Sequence, residues 1–172
     1  MYLPSKSRRF VVGALLITLV FVGLGQWASA RFRLGIGVQN ALCLPYRVFL
    51  IDTYYKHPAR DDYLAFRGDE RLAPYFQAGV TLIKAVRGLP GDRVQIGDRI
   101  AVNDRTLVTP LPGLGVTPLA FTLGRQPTDF QRDEPVPAAS YFVMGTSADS
   151  YDSRYWGYVR QAQVLGRAYP LW

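Results

Sequence analysis

The longest apolar stretch of the chain runs from Phe10 to Ala30 and contains no charged residue. Its 21 residues are enough for a helix to cross the hydrocarbon core of a bilayer. Lys6, Arg8 and Arg9 precede the stretch, and basic residues on that flank favour a cytoplasmic N-terminus. The pattern therefore predicts one membrane anchor, with the remainder of the chain on the exported side.

A cleaved signal peptide is the competing interpretation of this stretch. Ala28-Ser29-Ala30 has the small residues that are found at leader cleavage sites. The apolar stretch is, however, longer than the core of a typical signal peptide, and we favour a retained anchor. Both interpretations divide the chain into an N-terminal segment, residues 1–33, and an exported domain, residues 34–172.

Beyond the anchor, short runs rich in β-branched and aromatic residues alternate with turn residues, and no long amphipathic helix is predicted. The expected strands are 47–55, 63–67, 80–86, 92–96, 100–107, 139–144 and 157–168. Asn103-Asp104-Arg105 interrupts one of these runs and predicts a hairpin turn. Residues 110–137 are rich in Pro and Gly and are expected to loop over the surface. The class is mainly β, with residues 93–138 as a loop-rich insertion.

Composition narrows the possible functions. The chain has 172 residues, 49% of them hydrophobic, which suits one compact domain once the N-terminal stretch is set aside. The net charge is +7, but Lys and Arg are scattered and form no basic stripe, so we expect no nucleic-acid partner. Cys43 is the only cysteine and His57 the only histidine, which argues against a disulfide or a structural metal site. We expect no metal and no cofactor.

One lysine lies inside an apolar, strand-forming run that ends in the turn Gly-Leu-Pro-Gly-Asp at residues 88–92. Alternation along a strand places Leu82, Lys84 and Val86 on one face. If that face packs inward, the amine loses water and could serve as a general base. The alternative is a lysine whose stem covers apolar surface while its head reaches water. The run alone leaves both interpretations open.

Three further segments combine with Lys84. Residues 40–49 read Asn-Ala-Leu-Cys-Leu-Pro-Tyr-Arg-Val-Phe, and residues 60–66 read Arg-Asp-Asp-Tyr-Leu-Ala-Phe. Residues 144–159 read Met-Gly-Thr-Ser-Ala-Asp-Ser-Tyr-Asp-Ser-Arg-Tyr-Trp-Gly-Tyr-Val. In order and spacing, these segments resemble the type I signal peptidases, peptidase family S26. The resemblance is greatest to the small conjugative-transfer branch, the TraF-type pilin peptidases, and it extends over residues 34–171.

This resemblance implies a signal-peptidase-like β-barrel or sheet catalytic domain, with a small β insertion and one N-terminal transmembrane helix. It implies that Lys84 is the general base, that Ser150 hydrogen-bonds the lysine amine, and that Asp152 and Arg154 form a structural ion pair. The substrate would lie as an extended strand beside the nucleophile, with shallow pockets for small residues. The residues expected to contact it are Ala41, Leu42, Leu44, Pro45 and Ile83.

The oxyanion hole is one point of departure from the family. There the backbone N–H of the nucleophile contributes, and in some members a serine hydroxyl two residues earlier assists; here that position is Ala41. Asn40 is a candidate donor by proximity, and an ordinary turn residue is the other interpretation.

The nucleophile is the second departure, because the family has Ser-Met-Pro or Ser-Leu-Pro where this chain has Cys43-Leu44-Pro45. Three hypotheses follow. Cys43 and Lys84 could form a working hydrolytic dyad. The thioester intermediate could instead be captured by an amine, so that the enzyme cuts its pilin and closes it head to tail. In the third hypothesis the protein is inactive and only binds the pilin as an assembly factor.

The resemblance also implies partners and a location. The expected partners are a pilin-like precursor polypeptide, the inner membrane and other components of a conjugative type IV secretion system. The protein would be a single-pass protein of the bacterial inner membrane, with a cytoplasmic N-terminus and a periplasmic catalytic domain. Hydrolysis and cyclisation are both left open by the sequence.

Overall fold

The structure, a computed structural model, describes residues 5–37, 43–97, 99–108, 116–147 and 149–172. The chain divides into two compact units, residues 1–33 and residues 34–172. Helix α1 (Ser5–Arg31) makes up most of the first unit. Its segment Ser7–Arg31, 25 residues, is long and apolar enough to cross a membrane. The apolar N-terminal helix predicted from the sequence is therefore confirmed.

Eleven strands are described, nearly all of them in the second unit. They are β1 (Phe32–Ile36), β2 (Val48–Asp52), β3 (Tyr63–Arg67), β4 (Thr81–Gly88), β5 (Arg93–Ile96), β6 (Ile100–Val102), β7 (Arg105–Val108), β8 (Arg132–Pro135), β9 (Ser140–Met144), β10 (Val159–Arg160) and β11 (Val164–Pro170). Seven of them form one sheet in the order β1-β2-β11-β3-β4-β9-β10. The mainly β class is confirmed.

The other four strands form a second sheet in the order β7-β6-β5-β8. Asn103 and Asp104 connect β6 to β7 and have φ values of 50° and 62°. Two successive left-handed residues are typical of the tight hairpin turn that Asn and Asp favour. The predicted hairpin is present, and Arg105 already belongs to the second strand.

The prediction of a surface loop at residues 110–137 is wrong for the part that the structure describes, residues 116–137. This part contains α2 (Thr117–Thr122), a 3-10 turn (Pro127–Phe130) and β8. Val116, Ala120, Phe130 and Val136 are buried in the main core. The many Pro and Gly residues led to the loop prediction, but the sparse apolar residues between them pack inward, and their burial orders the segment.

The two faces of the large sheet pack into different apolar clusters. Leu64 and Phe66 of β3 point into the main core, which also takes residues from the second sheet, such as Val94 and Ile100. Ala65 lies between them on the opposite face, in a smaller cluster. Successive side chains of a strand alternate between faces, so each central strand contributes to both clusters.

Short 3-10 and α-helical turns complete the second unit. Two further 3-10 turns are Glu70–Leu72, between β3 and β4, and Gln161–Gln163, before β11. A single helical turn, α3 (Ser153–Trp156), lies between β9 and β10 and is fully buried. The loop that leads from β9 into α3 is the part of the fold that builds the candidate site.

Candidate active site

Lys84 lies in the middle of β4 and is 2% exposed. Leu82 and Val86, two residues away on either side, share its face and belong to the main core. The Lys84 Nζ donates a hydrogen bond of 2.8 Å to the Ser150 Oγ. Of the two interpretations that the sequence left open, the structure favours the buried amine over the lysine that reaches water.

Ser150 is completely buried in the loop between β9 and α3. Its side chain faces Lys84, whereas its backbone carbonyl accepts a hydrogen bond of 2.8 Å from Arg154 Nη2. Both ends of the residue are therefore held, and the hydroxyl has little freedom to turn away from the amine. The structure thus brings together Lys84, Ser150 and Arg154. The lysine and the serine are 66 positions apart in the chain.

Asp152 and Arg154 form a two-pronged ion pair inside this loop. Arg154 Nε lies 2.8 Å from Asp152 Oδ1, and Arg154 Nη2 lies 2.9 Å from Asp152 Oδ2. The two side chains are 0% and 1% exposed. Burial opposes the charge of the guanidinium, but the Asp152 carboxylate outweighs that effect and the pKa of Arg154 is raised. Arg154 therefore remains charged, and its two contacts with Asp152 tie the loop together.

The same carboxylate organises the backbone on both sides of the loop. Asp152 caps α3, accepting a hydrogen bond of 3.2 Å from the Arg154 N–H, and also accepts one of 2.9 Å from the Gly145 N–H. Burial raises the pKa of the adjacent Tyr155 to about 12, so this phenol stays neutral beside Arg154. One buried carboxylate thus accepts from four N–H groups, two of the Arg154 guanidinium and two of the backbone, and connects Gly145 to Arg154.

Cys43 lies in the segment that joins β1 to β2 and is half-buried. The base of this segment is closed by a hydrogen bond of 2.8 Å from Gly37 N–H to Arg47 O, and Arg47 N–H donates in turn to Trp172 O at 2.7 Å. Cys43 itself is held through its carbonyl, which accepts from the Thr146 N–H at 2.7 Å and the Thr146 Oγ1 at 3.2 Å. The nucleophile candidate is therefore attached to the loop that carries Ser150.

Gly145 lies where these two parts of the chain meet. A Cβ placed on this residue would lie 2.7 Å from Cys43 O and closer still to Ser150 Oγ. Real side-chain carbons do not approach other atoms so closely, and the backbone carbonyl cannot move aside as a flexible side chain would. Glycine is required here by the close approach of the Cys43 carbonyl and the Ser150 hydroxyl.

Gly145→Ala is expected to destabilise the protein by about 1–3 kcal/mol, because the added methyl group must displace either the Ser150 side chain or the Cys43 backbone. Thermal unfolding of the full chain in detergent measures the effect. Gly97→Ala is the matched control, since nothing lies within 4 Å of its Cβ position. Equal midpoints for the two variants would contradict the tight packing around Gly145.

Of the residues expected to contact substrate, two pack into the protein instead of facing Lys84. Ile83 is the neighbour of Lys84 on β4 and so points to the opposite face, where it lies against the smaller cluster. Leu44 is 5% exposed and belongs to that cluster. Pro45 is exposed. Asn40, Ala41 and Leu42 lie outside the described residues.

Thr146 joins Cys43 to the Ser150 loop and is not among the residues that the sequence indicated. No local signal marks it, because the contact spans 103 positions of chain and two of the three groups that form it, the Thr146 N–H and the Cys43 carbonyl, belong to the backbone.

The structure also reveals an edge of β4 that the sequence did not indicate. Strand β3 pairs with all of Thr81–Ala85, whereas β9 begins to pair only at Ala85, opposite Met144.

Within the part of the chain that the structure describes, no strand lies along the second edge of residues 81–84. This edge of β4 passes Lys84. It lies where β9 would continue to pair if the chain did not turn into the Ser150 loop after Met144. An extended polypeptide can pair with such an edge through main-chain hydrogen bonds. No group of His, Cys, Asp or Glu in the described ranges is arranged to hold a metal ion.

The chain has recognisable relatives. The profile of the family described as "Signal peptidase, peptidase S26" matches residues 8–172. A signal peptidase I from Leptolyngbya laminosa is 34% identical over 121 residues, which are 69% of this chain and 54% of that protein. A probable signal peptidase I-2 from Synechocystis sp. is 28% identical over 173 residues, or 96% of this chain and 74% of that protein.

Among solved structures, a signal peptidase I from Enterococcus faecalis is 29% identical to this chain, with a TM-score of 0.40. The match covers 66% of this chain and 97% of the Enterococcus chain. The chain thus spans about half of the Leptolyngbya relative and three quarters of the Synechocystis relative. Because the family profile covers almost the whole sequence, the chain belongs to the signal peptidase family, peptidase S26.

Proposed function

We propose that this protein is a membrane-associated endopeptidase of the signal peptidase type, in which Cys43 is the nucleophile and Lys84 transfers protons. The observation that carries the proposal is the buried Lys84 amine, hydrogen-bonded to Ser150 in the loop that also holds the Cys43 carbonyl. Among the described residues, no ion pair involves Lys84. An amine held by a hydroxyl can exchange a proton without breaking an ion pair.

The reaction follows from these roles. Lys84 accepts the proton of the Cys43 thiol, and the sulfur attacks the scissile carbonyl carbon, forming a tetrahedral intermediate. When the C–N bond breaks, Lys84 returns that proton to the leaving amine, and the acyl group remains on Cys43 as a thioester. A water molecule that loses a proton to Lys84 then attacks the thioester carbon, the C–S bond breaks to release the new carboxyl end, and Lys84 returns the proton to the Cys43 sulfur.

Substrate would bind along the edge of β4 at residues 81–84. An extended precursor segment that pairs with this edge passes beside Lys84, and its carbonyl groups are held by main-chain hydrogen bonds independently of sequence. Pro45 is exposed on the Cys43 side and is a candidate wall for the small residues near the scissile bond. Leu44 and Ile83 would act indirectly, by supporting the cluster beneath this wall.

We propose membrane-tethered substrates because the peptidase unit begins directly after an apolar helix. Leu34 and Ile36 follow that helix by a few residues and are 67% and 66% exposed. Large apolar side chains in this position favour the membrane interface over water. The proposed orientation places the basic N-terminal tip in the cytoplasm and the peptidase unit in the periplasm, next to the inner membrane.

The finer proposal is a pilin-like precursor of a conjugative type IV secretion system, processed by a TraF-type enzyme. It rests on the resemblance of the segments Lys84–Asp92 and Ser150–Arg154 to the TraF-type pilin peptidases, and on the chemistry of sulfur. A thioester reacts with amines, relative to water, more readily than an oxygen ester does. Capture by the precursor's own N-terminal amine would release a head-to-tail cyclic product.

The test is the intact mass of a pilin-like precursor after incubation with the full-length protein in detergent. Cleavage followed by hydrolysis yields a linear product, whereas cyclisation yields a product lighter by one water. Cys43→Ala should yield neither. An unchanged precursor mass with wild-type protein would favour the second candidate function, a binding and assembly factor. The observation that supports this second candidate is the absence of the family's nucleophilic serine, which is replaced by Cys43.

Cys43→Ser is expected to shift the product from cyclic towards linear, because the oxygen ester intermediate is captured less readily by amines. The measurement is the ratio of the two product masses at equal conversion, with wild-type protein as reference. An identical ratio for both nucleophiles would contradict the thioester argument. It would leave the peptidase proposal intact as long as both proteins cleave.

A further inference from the structure

We infer that Thr146 is a positioning residue, which sets the orientation of Cys43 relative to Lys84 through the Cys43 carbonyl. The inference rests on the proposed function and extends it to a residue that does not touch the reacting atoms. Its basis is a contact between two distant segments, one carrying the nucleophile and the other carrying the hydrogen-bond partner of Lys84.

Two donors of Thr146 converge on one acceptor. The N–H lies 2.7 Å and the Oγ1 lies 3.2 Å from the Cys43 carbonyl oxygen. A single hydrogen bond leaves a carbonyl free to pivot about it, whereas two donors from different directions define the plane of the peptide group as well as its distance. The peptide unit that follows Cys43 is therefore held in direction as well as in place.

That peptide unit leads into a fixed residue. Leu44 is 5% exposed and anchored in the smaller apolar cluster. With its carbonyl held by Thr146 and the next side chain buried, the Cα of Cys43 has little freedom on its C-terminal side. Small shifts of the carbonyl therefore translate into the position of the sulfur, which the same residue carries.

Thr146 is in turn attached to the machinery around Lys84. It follows Gly145, whose N–H donates to the buried Asp152 carboxylate at 2.9 Å. It precedes Ser150 in the same loop, and that loop is held by Arg154. The contacts of Gly145 and Ser150 therefore hold Thr146 and the partner of Lys84 in one part of the fold, and Thr146 in turn holds the Cys43 carbonyl.

The hydroxyl is the part of this clamp that mutation can remove. Thr146 is exposed, so the hydroxyl bond competes with water and contributes little to the stability of the fold. Its contribution to orientation is a different quantity, because a misplaced nucleophile lowers the rate even when the fold is unchanged. Thr146→Val deletes the hydroxyl but keeps the size and the β-branch, whereas Thr146→Ser keeps the hydroxyl.

The experiment compares these two variants with wild-type full-length protein in detergent. We expect Thr146→Val to lower kcat about fivefold with KM unchanged, because one ordinary hydrogen bond no longer holds the nucleophile in position for attack. Thr146→Ser should restore most of the rate. Thr106→Val, in the exposed face of β7, is the matched control and should match wild type in every readout.

A second readout does not need substrate. Cys43 is the only cysteine, so the rate of alkylation by iodoacetamide reports its environment alone. We expect Thr146→Val to change this rate about fivefold across the pH range, with Thr146→Ser close to wild type and all melting temperatures equal. Wild-type rates of cleavage and alkylation in Thr146→Val would overturn the inference.

Equal losses in both Thr146 variants together with lowered melting temperatures would also overturn the inference, because they indicate a structural role. Failure of the proposed function is distinguishable: wild-type protein would then cleave no precursor, while the alkylation rates would still show whether Thr146 orients Cys43.

Discussion

Lys84→Met is expected to lower kcat for precursor cleavage by a factor of about 10²–10⁴, the usual contribution of a general acid–base group. Methionine has nearly the length of lysine and no charge, and it suits a site that is 2% exposed between two core residues. The fold should therefore persist while the proton carrier is lost. Substrate binding along the strand edge does not require the amine, so KM should change little.

The assay is the initial rate of precursor cleavage at saturating substrate, measured together with thermal unfolding. Lys56→Met is the matched control: Lys56 also donates hydrogen bonds, to the carbonyls of Val164 and Leu165, but its side chain is exposed. We expect the control to cleave at the wild-type rate. A Lys84→Met protein that retains more than a tenth of the wild-type rate would contradict the role of Lys84 as proton carrier.

Arg154→Met is expected to destabilise the protein by about 3–5 kcal/mol, because it leaves the Asp152 carboxylate buried without its partner. The two side chains are 1% and 0% exposed, so water cannot replace the guanidinium. The substitution also removes the hydrogen bond to Ser150 O and so loosens the residue that holds Lys84. The melting temperature should fall by roughly 6–20 °C for a unit of this size.

Two controls separate the buried pair from ion pairs in general. Arg93→Met breaks the exposed pair with Asp133 and should leave the melting temperature nearly unchanged. Adding Asp152→Asn to Arg154→Met removes the stranded charge and should recover part of the lost stability. If breaking the buried pair and breaking the exposed pair lowered the melting temperature equally, burial would not determine how much Asp152 and Arg154 contribute to stability.

Much of the fold could be predicted from local patterns. The strand runs 63–67 and 139–144 were expected within one residue of the observed β3 and β9, because period-two alternation over a buried sheet is a local property. The turn at Asn103 and Asp104 was predictable for the same reason, since those two side chains tolerate left-handed backbone. The segment 116–137 was not, because its burial depends on packing against distant strands.

The candidate site, like the fold, could be predicted only in part from the sequence. The face of Lys84 followed from alternation, and Ser150, Asp152 and Arg154 were marked by their motif. Leu44 and Ile83 were expected to contact substrate from the resemblance, and the structure packs both against the smaller cluster, Ile83 on the face of β4 opposite to Lys84. A strand turns successive side chains to opposite sides, so neighbours in sequence need not share a surface.

The amino-acid sequence alone determined the apolar helix and strands such as β3 and β9, because each depends on the spacing of side chains along a few turns or pleats of chain. Only the tertiary structure decided what Lys84 bonds to and how Cys43 is held. Those contacts join residues 66 and 103 positions apart, and their geometry is set by the packing of two sheets and one buried ion pair. No local pattern records a distance of that kind.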